Sequence, residues 1–149
     1  MRKKILIVED EAALAELWKT ALEHEGYSVD LAREPATVYE RLEELKYDLI
    51  LLDIMLPMDE LRRAVPAGEQ IPVSREAGVW LLERIKAKHP AMPVLVVTVV
   101  ADMRIIYKIR TQGADGLIQK SDLERLDPLF SEVKRLLGET QAASSAEGQ

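Results

Sequence analysis

The sequence predicts an α/β protein in which a parallel, doubly wound sheet of five strands carries helices on both faces. Short apolar runs alternate along the chain with segments of helical periodicity, and this alternation is typical of parallel sheets with crossover helices. Three of the runs, ILIV, LILL and VLVV, are apolar at consecutive positions, as expected of strands that are buried on both faces. The whole pattern consists of five strands that alternate with five helices.

The predicted strands are short and rich in Val, Ile and Leu. The second strand differs because it alternates apolar and polar residues, which is typical of a strand near the edge of a sheet. The third strand is followed directly by Asp53, and Pro57 comes four residues later. The five predicted strands cover residues 4–8, 27–32, 48–52, 94–100 and 116–119.

The predicted helices are defined by apolar residues at helical spacing and by start and stop signals. In the first helix the predicted core-facing residues are Leu14, Leu17, Ala21 and Leu22. In the fourth helix apolar residues lie on two sides, so one side is expected to face the core and the other is a candidate partner or dimer surface. The five helices cover residues 11–25, a segment that starts at Pro35, a segment from Ser74 to about His89, and residues 102–112 and 127–138.

Length and composition exclude several classes of protein. A chain of 149 residues is expected to form one domain with a substantial core. Its net charge of -6 argues against direct, non-specific binding to nucleic acid, which needs a basic face. The absence of cysteine excludes disulfides and thiolate metal sites. No apolar run approaches the ~20 residues that span a bilayer, and the first apolar run is too short for a signal peptide.

Polar side chains interrupt or follow four of the predicted strands at their carboxyl ends. They are Glu9 and Asp10 after the first strand, Asp53 after the third, Thr98 in the fourth and Lys120 after the fifth. In a doubly wound sheet the carboxyl ends of the central strands meet at one pocket. We therefore expect these five residues to lie close together.

Three carboxylates in one pocket repel one another, by about 4 kcal/mol for a pair ~4 Å apart at an effective dielectric constant of 20. Mg²⁺ prefers oxygen ligands and relieves such repulsion, so the acids predict a magnesium site. A carboxylate, a metal ion, a lysine and a hydroxyl together suit phosphoryl transfer, in which developing charge must be neutralised. Asp53 is the candidate acceptor, which would form an aspartyl-phosphate.

With these residues in place, the chain resembles the receiver domain of two-component response regulators over residues 3 to about 138. Each matching segment ends a predicted strand, and the four together in this order are specific: ILIVEDE, YDLILLDIMLP, VLVVTVVAD and GADGLIQK. The resemblance implies a CheY-like (flavodoxin-like) sheet with the strand order 2-1-3-4-5 and five helices. It also implies a cytoplasmic signalling protein.

The resemblance assigns a role to each acidic residue of the site. Asp53 matches the residue that accepts a phosphoryl group from a phosphohistidine on a sensor kinase. Glu9 and Asp10 match the acidic pair that binds Mg²⁺ together with Asp53. Met55 matches the residue whose backbone carbonyl completes the set of protein ligands.

Thr98 and Lys120 match the switch hydroxyl and the lysine that pairs with the phosphoryl group, but three neighbouring positions depart from the family pattern. Ser121 replaces a proline that usually follows a cis bond, so we expect a trans peptide and a less firmly placed Lys120. Val99 replaces a small residue and is expected to crowd the phosphoryl oxygens or exclude water. Leu117 replaces the aromatic residue whose rotation usually follows the movement of the hydroxyl.

The interval before Gly78 is longer than in the family, because residues 58–77 fill it. One interpretation is a lid or docking loop over the pocket, with Arg62 and Arg63 close to its negative charge. The alternative is a tolerated surface insertion. The predicted domain therefore covers residues 1–138 with this insertion, and residues 139–149 are predicted to be a disordered tail.

The resemblance implies a stand-alone phosphoacceptor switch that works through protein contacts. Its expected partners are a sensor histidine kinase or phosphotransfer protein and an unknown downstream protein, with no direct contact to nucleic acid or membrane. It is not expected to be an enzyme beyond its own phosphotransfer and dephosphorylation. The alternative is a pseudo-receiver, an interaction module that keeps the acids but does not switch by phosphorylation. A phosphoesterase of the DxD type is disfavoured because Met55 stands where a second aspartate is needed.

Overall fold

A computed structural model describes residues 2–33, 35–44, 46–54 and 77–139. In these ranges the strands are β1 Lys4–Val8, β2 Ser28–Ala32, β3 Leu49–Leu52, β4 Val94–Thr98 and β5 Gly116–Gln119. The helices are α1 Ala12–His24, α2 Pro35–Glu44, α3 Ala77–Lys88, α4 Met103–Thr111 and α5 Asp127–Leu136, with a short 3₁₀ helix at Lys120–Asp122. None of these helices has the length and apolar composition that crossing a bilayer would require.

The five strands form one parallel sheet in the order β2-β1-β3-β4-β5. This confirms the predicted fold class, including the strand order 2-1-3-4-5. The alternating strand β2 lies at one edge, and the continuously apolar strands β1, β3 and β4 lie in the middle. The central strands are apolar on both faces because helices cover both of them.

The core consists of two clusters, one on each face of the sheet. Alternate residues of a strand point to opposite faces, so Leu6 and Val8 belong to one cluster and Ile5 and Ile7 to the other. Helices α2, α3 and α4 contribute to the first cluster, and α1 and α5 contribute to the second. The sheet is thus fixed from both sides, and the strand ends are held in register.

The buried face of α1 differs from the predicted one. Its buried residues are Ala15, Trp18 and Leu22, whereas Leu17 is 53% exposed. Positions 15, 18 and 22 form a stripe with spacings of three and four residues, and Leu17 lies about 100° around the helix from Trp18. The prediction that Leu17 faces the core was therefore wrong, because several apolar residues in α1 allowed more than one stripe.

The ends of several elements also differ from the predicted bounds. Strand β4 stops at Thr98 instead of residue 100, because the chain turns there and Thr98 Oγ1 accepts a hydrogen bond from the Val100 amide at 3.2 Å. Helix α5 ends at Leu136, and Gly138 follows with a φ of 73°. Glu139, the first residue of the predicted tail, accepts a hydrogen bond from the Tyr27 hydroxyl at 2.5 Å. Residues 140–149 lie outside the described residues.

Replacing Leu51 by alanine is expected to lower the free energy of unfolding by about 2–5 kcal/mol, since this β3 side chain is fully buried and its removal leaves a cavity. Leu17→Ala is the matched control, and it should change stability by less than about 0.5 kcal/mol because Leu17 is exposed. Urea unfolding measures both values. Equal losses in the two variants would contradict the core described above.

Candidate functional site

The sheet register places the ends of β1 and β3 side by side. Val8 pairs with Leu52, and the ladder continues because the Asp53 amide donates a hydrogen bond to the Val8 carbonyl at 3.0 Å. On the other side of β1, the Glu9 amide donates to the Ala32 carbonyl at 3.3 Å. Glu9 and Asp53 therefore leave adjacent strands at the same edge of the sheet.

The carboxylates of Glu9, Asp10 and Asp53 are brought together at this edge, as the sequence predicted. One oxygen from each lies within 4.8 Å of the others. Glu9 and Asp53 are buried, with 1% and 3% of their surface exposed, whereas Asp10 is exposed. The cluster therefore consists of two buried carboxylates, Glu9 and Asp53, and one solvent-exposed carboxylate, Asp10.

This cluster fits a hard divalent cation. Oε2 of Glu9 accepts a hydrogen bond from the Glu11 amide at 3.2 Å. Oε1 of Glu9 is buried, and among the described residues it accepts no well-directed hydrogen bond, although Lys120 Nζ lies 2.8 Å away. Lys120 carries one positive charge against three carboxylates, so the cluster keeps negative charge that a divalent cation with oxygen ligands would neutralise. Met55, the predicted carbonyl ligand, lies outside the described residues.

Lys120 joins the acids from the end of β5. Its Nζ lies 2.8 Å from Glu9 Oε1 and 3.3 Å from Asp53 Oδ2, and only 16% of its side chain is exposed. The Lys120–Ser121 peptide is trans, as expected. The ammonium group of Lys120 contacts two buried carboxylates, and the chain continues into the 3₁₀ helix; whether Lys120 is less firmly placed without the proline stays a prediction.

Burial raises the pKa of the Glu9 carboxyl to about 7, and the nearby charge of Asp53 acts in the same direction. Lys120 opposes this rise through its ion pair. For Lys120 itself, burial lowers the pKa, but the Glu9 and Asp53 carboxylates outweigh burial and raise it above its usual value. The pocket is therefore short of positive charge for its number of carboxylates, even with Lys120 present.

Thr98 lies at the end of the neighbouring strand β4 and is completely buried. Its hydroxyl oxygen accepts a hydrogen bond from the Val100 amide, and a hydroxyl that accepts one hydrogen bond can also donate its own proton. Val99 is 62% exposed, and Leu117 packs partly buried against the cluster on the α2, α3 and α4 face. The predicted effects of Val99 and Leu117 on switching stay predictions.

Three residues near the site were not assigned to it from the sequence. The Trp18 ring lies beneath Lys120, with 5.8 Å between Nζ and the ring centroid. Gly78 of α3 lies against the backbone of Ile54, the residue after Asp53. The Gln119 side-chain amide donates to the Val100 carbonyl at 3.4 Å. The spacing of Trp18 with Ala15 and Leu22 is compatible with a buried stripe, but it was one of several stripes in α1, so the sequence did not single Trp18 out.

Fold and site together define a class of protein: a doubly wound α/β domain with an acidic, lysine-paired pocket at the carboxyl edge of its sheet. Comparisons with known proteins agree with this class. The family model described as the response regulator receiver domain matches residues 5–60. The chain is 30% identical to the transcriptional regulatory protein CrdR of Helicobacter pylori over 93% of its own length and 57% of that protein.

Two solved structures extend the likeness to the whole fold. One is a CheY-like response regulator receiver domain protein from Methanospirillum hungatei, with a TM-score of 0.76, 29% identity and coverage of 93% of this chain and 96% of that chain. The other is response regulator TrrA from Thermotoga maritima in complex with Mg²⁺-BeF. It has a TM-score of 0.69 and 28% identity, and the match covers 90% of this chain and 98% of that chain.

The chain is therefore a receiver domain of the response regulator family. It spans 57% of the length of CrdR, so the comparison with that regulator concerns only part of the relative.

Proposed function

We propose that this receiver domain is a phosphoacceptor switch that takes a phosphoryl group from a phosphohistidine onto Asp53. The observation that carries the proposal is the cluster of Glu9, Asp10 and Asp53 with Lys120 in contact with two of its members. Such a cluster is costly for the fold unless it binds something, because buried like charges repel. Its position at the carboxyl edge of a doubly wound sheet is where such folds bind ligands.

Glu9, Asp10 and Asp53 are the proposed protein ligands of Mg²⁺, with the Met55 carbonyl as a fourth. The bound ion would neutralise charge on the phosphoryl oxygens during transfer. The similar regulator TrrA was solved in complex with Mg²⁺-BeF, and this supports the assignment by analogy.

The proposed transfer needs little from the protein except position and charge. A carboxylate oxygen of Asp53 attacks phosphorus, the bond between phosphorus and the histidine nitrogen breaks, and its electron pair returns to the imidazole. Lys120 is already 3.3 Å from Asp53 Oδ2, so its ammonium group is placed to pair with a phosphoryl oxygen. Lys120 would then serve electrostatic stabilisation, which does not require proton transfer.

Thr98 is the proposed sensor of the phosphoryl group. The Thr98 hydroxyl can donate a hydrogen bond to a phosphoryl oxygen. If the hydroxyl turned toward that oxygen, it would lose the hydrogen bond that it now accepts from the Val100 amide. The segment between β4 and α4 would then change its hydrogen bonding. With Leu117 in place of an aromatic residue, the response is proposed to pass through this segment rather than through a rotating ring.

The remaining parts of the proposal concern the protein as a whole. The receiver domain is proposed to cover residues 1–138, including the insertion at 58–77, which lies almost entirely outside the described residues. Its proposed partners are a sensor histidine kinase or phosphotransfer protein and a downstream protein, in the cytoplasm. The exposed side chains of Met103 and Tyr107 on α4 support a partner or homodimer surface. We propose no catalysis on external substrates.

The deciding prediction is that acetyl phosphate and Mg²⁺ add one phosphate to the wild-type protein and none to Asp53→Asn. Intact mass spectrometry measures the adduct, and peptide mapping locates it. Asp48→Asn is a matched control, since Asp48 lies at the opposite end of β3 and its Oδ2 accepts a hydrogen bond from the Lys4 amide. It should be phosphorylated like the wild type.

A protein that gains no phosphate and does not bind beryllium fluoride would support the pseudo-receiver instead. The observation that favours this alternative is the direct contact of Lys120 with both Glu9 and Asp53, which already neutralises part of the pocket. The mass measurement therefore separates the two functions.

A further inference from the structure

Lys120 has a third neighbour besides its two carboxylates. The ring of Trp18 lies 5.8 Å from its Nζ, within the ~6 Å at which an ammonium group is attracted to an aromatic face. Trp18 is only 2% exposed and packs in the α1 and α5 cluster. The ring is therefore fixed by the core, while the lysine side chain is attached at the edge of the sheet.

The Lys120 side chain needs such a support for a physical reason. Lysine is a flexible side chain with four methylenes, and Lys120 leaves β5 directly into a short 3₁₀ helix. Its two carboxylate contacts and the Trp18 ring all lie near the ammonium nitrogen. A buried ring adds a fixed neighbour for that group, and tryptophan attracts a cation more strongly than the other aromatic residues.

We propose that Trp18 is a positioning residue that holds the Lys120 ammonium group over the acidic pocket. Trp18 is proposed to act through Lys120, the group that its ring faces. The effect of Trp18 on phosphorylation rests on the proposed function, whereas the contact between Trp18 and Lys120 does not.

A second pair in the same protein provides a matched control. The Arg84 guanidinium lies 5.9 Å from the centroid of the Trp80 ring, and both residues belong to helix α3. Trp80 is half-buried. Trp80→Leu therefore removes an aromatic residue that faces a different cation. It measures how far general destabilisation alone changes the behaviour of Lys120.

The first test follows the ammonium hydrogens of Lys120 by ¹H–¹⁵N correlation NMR, with the signal assigned by its loss in Lys120→Met. In Trp18→Leu we expect these hydrogens to exchange with water roughly three- to twentyfold faster than in the wild type. Trp18→Phe should rescue part of the protection, and Trp80→Leu should leave it unchanged. Unchanged exchange in a folded Trp18→Leu protein would overturn the proposal.

A second measurement leaves Trp18 in the core and changes its neighbour Lys120 instead. In a Trp80→Phe background Trp18 is the remaining tryptophan, and Lys120→Met should change its fluorescence because a cation leaves the ring. An identical spectrum would overturn the proposal even if Trp18→Leu does not fold.

Phosphorylation by acetyl phosphate then tests the consequence. Trp18→Leu is expected to take up phosphate about three- to twentyfold more slowly than the wild type, because its Lys120 ammonium group is less firmly held. Equal rates would show that Trp18 does not position Lys120 for the reaction. A wild type that takes no phosphate, together with the expected NMR difference, would instead reject the proposed function and support the positioning role.

Discussion

Gly78→Ala is expected to lower the free energy of unfolding by about 3 kcal/mol or more and to impair the site at the same time. A Cβ atom on Gly78 would clash with the Ile54 carbonyl oxygen and would lie 2.5 Å from the Ile54 carbonyl carbon. These are backbone atoms, so the clash is relieved only if α3 and the end of β3 move apart. Overpacking typically costs about 1–3 kcal/mol of stability. We expect a cost at the upper end of this range or above it, because backbone atoms cannot move aside as a side chain can.

The damage should reach Asp53 because Ile54 follows it directly in the chain. Helix propensity favours alanine over glycine by at most about 1 kcal/mol, which does not offset the clash. The structure thus predicts loss of both stability and phosphate uptake from a single added methyl group.

Thermal unfolding and intact mass spectrometry measure the two losses. Gly138→Ala is the control, because a Cβ atom there meets nothing within 4 Å and only the φ of 73° is unfavourable. That variant should lose about 1 kcal/mol and keep its phosphate uptake. A Gly78→Ala protein with wild-type melting temperature and uptake would show that α3 does not approach Ile54 this closely.

The parts of the fold that the sequence predicted are those with one dominant physical cause. Strands β1, β3 and β4 are continuously apolar, and only burial on both faces accommodates that pattern. The parallel register then follows from the crossover helices, and it brings Glu9 and Asp53 to one edge. Convergence of the acids was therefore predictable without coordinates.

The features that the sequence did not predict depend on how a helix is rotated about its axis and on distances across the sheet. Helix α1 contains enough apolar residues for several stripes, so its sequence did not show that Trp18 faces inward while Leu17 is exposed. The proximity of Trp18 to Lys120 joins the first helix to the end of the last strand. No local pattern encodes such a contact, because it is set by how the helix packs on the sheet.

The departure at Ser121 shows a further limit of local reasoning. A missing proline predicted a looser lysine, and the trans peptide is indeed present. Lys120 nevertheless contacts Glu9 and Asp53, which follow β1 and β3, whereas Lys120 follows β5 at the far edge of the sheet. These contacts depend on distances across the sheet, so the residue after Lys120 alone could not predict them.

Glu9→Gln is expected to stabilise the protein at pH 8 without Mg²⁺, by roughly 3 kcal/mol, although it removes a partner of Lys120. Burial raises the pKa of Glu9 to about 7 in the folded protein, against 4.5 as the ordinary value. The folded state thus holds the Glu9 proton more tightly than the unfolded state. The associated stability is fully present below pH ~4.5 and is lost as pH rises through 7, at about 1.4 kcal/mol per pKa unit.

Glutamine keeps the shape of the side chain and stays neutral at every pH, so the variant should not show this loss. Near pH 5 folded Glu9 is mostly protonated, and the two proteins should have similar stability. Mg²⁺ should reverse the order at pH 8, because it stabilises the charged cluster of the wild type more than that of the variant. Urea unfolding at pH 5 and pH 8, with and without Mg²⁺, measures all four differences.

Glu11→Gln is the control for the Glu9 variant, since Glu11 is an exposed carboxylate two residues away. It should show neither the gain at pH 8 nor the reversal by Mg²⁺. A Glu9→Gln protein that is less stable than the wild type at pH 8 without Mg²⁺ would mean that the ion pair with Lys120 outweighs burial and repulsion from Asp53. The pocket would then be a self-sufficient ion-pair network, and its carboxylates would need no metal ion to offset their burial.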